Sequence, residues 1–202
     1  SDFLIDRYEV SNEKYKKFQL KHSFNMKRAN WPVVFVTYAE AKSFCKSEGK
    51  RLPTEIEWEK AARGGCEGGT DPSACDAGDL IPYPWGSEAP TCANANHNLS
   101  TTLPPTLCTS DTTPSGSQTG NNGPYGHRNL AGNVWEYVAD LYHPAVYGSG
   151  TIREDPGGPV EGSSHVLRGG GWNTFSTNMR AANRFSDMVM GSAVGIRCAR
   201  SA

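Results

Sequence analysis

Arg168-Gly169-Gly170-Gly171-Trp172-Asn173 is the stretch that most restricts the fold. Glycine loses more backbone freedom on folding than any other residue, so three in a row do not belong inside a helix or strand. They fit where the backbone passes close to another segment, or where φ is positive. The tryptophan that follows supplies a large flat anchor. Asn173 to Met179 is then a run of small and polar residues around Phe175, closed by Arg180-Ala181-Ala182-Asn183-Arg184. Fixed at both ends, this run reads as a displayed surface. Asn129-Leu130-Ala131-Gly132-Asn133-Val134-Trp135-Glu136 is the second landmark and pairs with it.

A chain of 202 residues suits one large domain, here taken as 1–202 because no low-complexity linker interrupts it. A net charge of −1 gives no basic footprint and argues against nucleic acid. Every lysine precedes Ala61, which reads as solvated helix faces early in the chain. No apolar run has the length of a membrane span. The chain opens at Ser1 without a secretory leader in view, which fits a leader or tether removed.

Residues 3 to 10 read as a short strand. Ser11 or Asn12 can cap a helix running to about His22. Trp31 to Val36 reads as an edge strand or extended segment. Thr37 with Glu40, and Thr54 with Glu57, are capping boxes. The first helix carries Tyr38, Ala41, Phe44 and Cys45 on one stripe and stops at Gly49; the second stops at Gly64. After Asn129 the best strands are 135–141, 165–168, 180–185 and 194–199. Helices early and short strands late make an α+β chain, irregular and loop-rich.

Residues 66 to 117 are rich in Gly, Pro, Thr and Asn and hold four of the six cysteines. Such a stretch buries too little to order itself, so cross-links are the natural remedy. The sequence-local pairs are Cys66–Cys75 and Cys92–Cys108, among the fifteen pairings open to six cysteines. No C-x-x-C pair suggests a thiolate metal site, and disulfides imply a secreted, periplasmic or cell-surface protein. Cys45 and Cys198 remain, either joined or as two buried thiols.

Six stretches resemble, in order, the motifs of the sulfatase-modifying-factor family, which includes the formylglycine-generating enzymes. They are Asp6-Arg7-Tyr8-Glu9-Val10-Ser11-Asn12, Gly49 to Glu55 with Glu57-Trp58-Glu59, Tyr83-Pro84-Trp85-Gly86, Gly132 to Glu136, Arg168-Gly169-Gly170, and Gly195-Ile196-Arg197-Cys198. The resemblance implies a variant of the C-type-lectin fold and a Cys45–Cys198 disulfide. It also implies a calcium site at Asn129, Gly132, Val134 and Glu136. Calcium wants six to eight oxygens, and this loop offers amide, carboxylate and carbonyl donors. The alternative is that Glu136 pairs with Arg180 or Arg197 and Asn129 stabilises a turn. Asn94-Ala95 resembles the start of a second calcium site.

The family's oxidases use two cysteines shortly after the Gly-Gly motif to bind copper. Here Thr174 and Met179 fall near those places, and no cysteine lies between Cys108 and Cys198. A soft copper ion needs thiolates, so formylglycine generation is disfavoured. Other oxidative branches lack that pair, so an oxidoreductase acting on a protein or peptide near Trp135 and Trp172 is the alternative function. The spacing of His127, His143 and His165 fits no metal site on one helix.

The tail also resembles variable proteins of diversity-generating retroelements, which are binding scaffolds. The resemblance implies a ligand-binding surface of Trp172 with, within 174–190, Thr174, Phe175, Ser176, Asn178, Phe185, Ser186, Asp187 and Met188, facing a protein or other surface ligand. Exposed aromatic and methionine side chains among small polar ones suit such a surface. The competing reading makes Phe175, Phe185 and Met188 core residues.

Overall fold

The computed structural model describes residues 2–65, 81–100, 104–120, 122–145, 158–159, 162–186 and 191–202. The helices come first: α1 (Asn12–Phe18), α2 (Tyr38–Ser47) and α3 (Glu55–Arg63). Both capping boxes form. Glu40 Nα–H reaches Thr37 Oγ1 at 3.2 Å while Thr37 N–H reaches Glu40 Oε2 at 2.8 Å. Thr54 and Glu57 repeat the exchange at the start of α3. Each satisfies two backbone donors that a bare helix end would leave orphaned. Ala41, Phe44 and Cys45 are the buried face of α2, and Trp58, Ala61 and Ala62 that of α3.

The first helix ends at Phe18, four residues short of His22. Lys16 Nζ donates to the carbonyls of Leu20 and His22, and the His22 ring packs edge-on to Tyr15 while bonding Asn12. Those contacts fold the chain back in place of another helical turn. Pro32 bridges to Ser11 and Val33 N–H is bonded to Val10 O, before Phe35 turns at φ 58°.

The strands form two sheets. β1 (Phe3–Ile5) pairs antiparallel with β6 (Ala199–Ser201). The larger sheet has the order β4 (Arg184–Ser186), β3 (His165–Arg168), β2 (Trp135–Leu141), β5 (Val194–Gly195), and only β2–β5 is parallel. The single strand expected over 194–199 is therefore split, with β5 in one sheet and β6 in the other. Between them Ile196 O accepts from Val10 N–H, and Cys198 is tied to Cys45 of α2 by a disulfide. The tail thus joins both sheets to the helical half. β4 starts later than the expected 180, because the carbonyls of residues 181–183 accept from the Arg168 side chain instead of a ladder.

One core cluster joins Tyr15, Phe44, Leu52, Tyr137, Leu167 and Ile196, uniting α1, α2 and the large sheet. A second packs Trp58 of α3 on Leu130, Val138, Val166 and Ala181. Cys92–Cys108 is the other disulfide among the described residues; Cys66 and Cys75 lie outside them. Among the described residues no helix is long and apolar enough to cross a membrane.

Candidate functional site

The loop from Asn129 to Glu136 is wound tightly. Asn129, Gly132 and Asn133 all take positive φ, at 57°, 79° and 66°. At Gly132 a β-carbon would lie 2.6 Å from Asn96 O, so only glycine fits. Asn133 Nδ2 donates to both oxygens of Glu9, at 2.9 and 3.0 Å, and Asn129 Nδ2 donates to Glu9 Oε2 at 3.2 Å. Asn133 Oδ1 accepts from Thr113 N–H at 2.7 Å. Asn129 Oδ1 is buried and has no partner.

Glu136 is fully buried. Its Oε2 accepts from Trp58 Nε1 at 2.6 Å and from Arg197 Nε at 2.8 Å, and its Oε1 accepts from Arg197 Nη2 at 2.7 Å. Arg197 continues to the carbonyls of Asp6 and Arg128. Burial opposes the Arg197 charge, but Glu136 beside it outweighs that, and the guanidinium pKa is raised. Glu9 is different. Burial first, then repulsion from Glu136, push its carboxyl up to about 8, against the opposing pull of Arg197 and Asn133.

No cluster of three or more His, Cys, Asp or Glu among the described residues could hold a metal, so carboxylates alone do not make a site. The Asn129 loop offers other oxygens. Asn129 Oδ1 is unsatisfied, and a carboxylate has about four acceptor positions, of which Glu136 has filled three. The acids Glu9 and Glu136 outnumber Arg197 when both are ionised. The leftover acceptors, Asn129 Oδ1 and the last position on Glu136, are hard oxygens of the type calcium takes, and are two of the six to eight it wants. The Glu136–Arg197 pair is formed as well, whereas Arg180 is exposed. At the other motif, Asn94 Oδ1 accepts from Thr91 N–H.

The ribbon after the glycines is held from outside itself. Gly170 sits at φ 79°, and a β-carbon there would be 2.1 Å from Met179 Cε. Thr174 Oγ1 accepts from Gly171 N–H at 2.9 Å and donates to Gly171 O at 2.8 Å. Trp172 N–H bonds Asn133 O, linking ribbon to loop, and Trp172 Nε1 bonds Ser192 O at 3.0 Å. Arg168 is buried and binds the carbonyls of Ala181 and Asn183 at 2.7 and 2.8 Å and Glu59 Oε2 at 2.6 Å. Arg184 forks onto Glu55 at 2.5 and 2.8 Å.

With the backbone so fixed, the side chains alternate in exposure. Met179 is buried beside Ala95 and Ala131. Phe175 is 37% exposed, and Phe185 is 49% exposed while stacked on Trp135 at 5.3 Å. Trp172, Thr174, Ser176, Asn178 and Ser186 are half-buried. Asp187 and Met188 lie outside the described residues.

Two contributions rest on long-range contacts that no local pattern shows. Glu9 reaches the Asn129 loop from across the chain. The Cys92–Cys108 hairpin supports the ribbon, since Asn98 N–H donates to Thr174 O at 2.9 Å and Asn98 bridges to Phe175.

Known proteins resemble this chain in sequence and in fold. The formylglycine-generating enzyme of Streptomyces coelicolor is 36% identical over 186 residues, which are 87% of this chain and 54% of that protein. The chain thus spans about half the length of that relative. Among solved structures, Treponema denticola variable protein 1 superposes with a TM-score of 0.74 at 22% identity, over 99% of this chain and 84% of that one. PvdO from Pseudomonas aeruginosa gives 0.71 at 22% identity, over 99% and 80%. At such identities the two structures show the fold alone, the α+β C-type-lectin-like fold of the formylglycine-generating-enzyme type. The sulfatase-modifying factor enzyme 1-like domain profile matches residues 1–202, and the chain belongs to that family.

Proposed function

We propose that this is a non-catalytic ligand-binding or display domain of a secreted, periplasmic or cell-surface protein, with Trp172 to Ser186 as its contact surface. The observation that carries this reading is the division of labour in the ribbon. Its backbone is held by Arg168, Asn98 and Asn133, while Phe175 and Phe185 reach solvent. Likeness to a variable protein of Treponema denticola supports the same reading. Two disulfides suit an oxidising compartment. The ligand is a protein or another surface.

The identity with a formylglycine-generating enzyme favours the second reading, an oxidoreductase acting on a protein or peptide. Copper loading with oxygen uptake on a cysteine-bearing sulfatase peptide separates the two. The binding reading expects no turnover above buffer, and sustained oxygen consumption coupled to peptide oxidation overturns it.

Calcium is part of the proposal. Asn129 through Oδ1 and Glu136 through Oε1, with the carbonyls of Gly132 and Val134, would hold the ion, which would supply positive charge to a buried pair of acids. Chelation is expected to lower the melting temperature, and Asn129→Ala to remove that sensitivity. If chelation changes neither melting temperature nor metal content, calcium has no place here.

A further inference from the structure

We infer that the lobe of residues 14–28 docks on an anionic lipid surface, with Leu20 and Met26 entering the headgroup layer between lysines. It stands apart from the ribbon and does not depend on the ribbon's function. Lys14, Lys16, Lys17, Lys21, Lys27 and Arg28 all fall in this lobe, and no Asp or Glu lies between Glu13 and Glu40.

Three of these cations are engaged. Lys14 pairs with Glu48 at 2.9 Å, Lys16 is bound by the Leu20 and His22 carbonyls, and Arg28 pairs with Asp111 at 2.6 Å while lying over Trp31. Lys17, Lys21 and Lys27 are exposed and make no ion pair among the described residues. Leu20 is 76% exposed and Met26 is 77% exposed.

The lobe has a defined build. The chain leaves α1 at Phe18 and returns to Ala29, whose carbonyl accepts from Glu13 N–H, and Asn12 Nδ2 holds the Arg28 carbonyl. Tyr15 and Phe18 pack on Phe44, and His22 stacks on Phe24. One exposed apolar residue is ordinary on any surface. Here two of them share one ten-residue loop with lysines on either side. Solvation accounts for the lysines and gives no account of the bare Leu20 and Met26.

An interface of anionic headgroups over acyl chains satisfies both. Apolar tips sink into the headgroup boundary, and lysine stems follow them while their ammonium groups stay at the phosphates. Nucleic acid fits less well, since arginine forks and outward aromatic faces are its usual readers. The single arginine here is committed, and Tyr15 is turned inward.

Flotation of the full chain with phosphatidylcholine vesicles, with and without phosphatidylglycerol, tests this. Binding is expected only to the phosphatidylglycerol vesicles. It should be lost when salt rises from about 0.1 M to about 1 M, which shortens the screening length from about 10 Å to about 3 Å. Each of Lys17→Gln, Lys21→Gln and Lys27→Gln should weaken partition about fivefold. Leu20→Ser with Met26→Ser should weaken it at least about tenfold. Both sets should keep the wild-type melting temperature, because the altered side chains are exposed. No binding to phosphatidylglycerol vesicles, or equal binding to both kinds, overturns the inference. So does equally tight binding to duplex DNA that the Leu20 and Met26 changes leave intact, since that marks a general polyanion site.

Discussion

Arg197 and Glu136 meet through two hydrogen bonds of 2.7 and 2.8 Å with both side chains fully buried. The pair joins the C-terminal tail to the floor of the Asn129 loop, and Trp58 adds a third donor from α3. A buried pair formed this way is strongly destabilised when one partner goes, because the other charge stays behind unpaired. Arg197→Met should cost about 3–5 kcal/mol in urea denaturation. Glu136→Gln combined with Arg197→Met should cost less than the sum of the single changes. Additive losses would show that the two residues do not act as a unit.

Glu9 gives the fold a particular pH dependence. Unfolded, it releases its proton near its ordinary 4.5; folded, it keeps the proton to about 8. Its stabilising contribution is therefore complete below the lower value and is lost as pH rises through the upper one. The loss runs at up to ~1.4 kcal/mol per pH unit. His127 acts oppositely at lower pH, since burial and then Arg197 hold its pKa down to about 4. The difference between wild type and Glu9→Gln isolates the Glu9 part. Calorimetric scans should show the wild type losing stability relative to Glu9→Gln between about pH 5 and pH 8. Parallel curves would contradict the buried acid.

The disulfides differ in span, with sequence separations of 153 for Cys45–Cys198 and 16 for Cys92–Cys108. In the chain-entropy model they are worth about 5 and about 3 kcal/mol. Replacing Cys92 and Cys108 by Ala should also speed amide exchange at Asn98, whose N–H holds the Thr174 carbonyl. Replacing Cys45 and Cys198 should cost more in global stability. A reversed order would mean that native strain or residual unfolded structure governs instead.

Much of this was legible from the residues. Capping boxes carry their own chemistry, so Thr37–Glu40 and Thr54–Glu57 located the starts of α2 and α3 to the residue. The stripe of Tyr38, Ala41, Phe44 and Cys45 marked the inward face, with Tyr38 partly buried and the other three fully so. What stayed hidden depends on partners far along the chain. Nothing near Glu9 announces that it meets Asn129 and Asn133, and nothing near Arg168 shows that its guanidinium binds the carbonyls of residues 181–183. The tail from 194 to 199 alternates like one strand, yet Cys198 and Arg197 pull it into a second sheet. Helix length failed at Phe18 because side-chain-to-carbonyl bonds from Lys16 replaced the helical ladder.

On the display reading, groups outside the ribbon hold its backbone, and its exposed side chains are free to change. Thr174 must stay, because its hydroxyl bonds both backbone groups of Gly171. Met179 must stay too; it is buried, and Met179→Ala should cost about 2–5 kcal/mol. The most direct measurement is the unfolding free energy of a chain with Phe175, Ser176, Thr177 and Asn178 scrambled. A change within about 1 kcal/mol, twice the usual surface range, is the expected result. A loss as large as that of Met179→Ala would show that those side chains are core, and the display reading would fall with it.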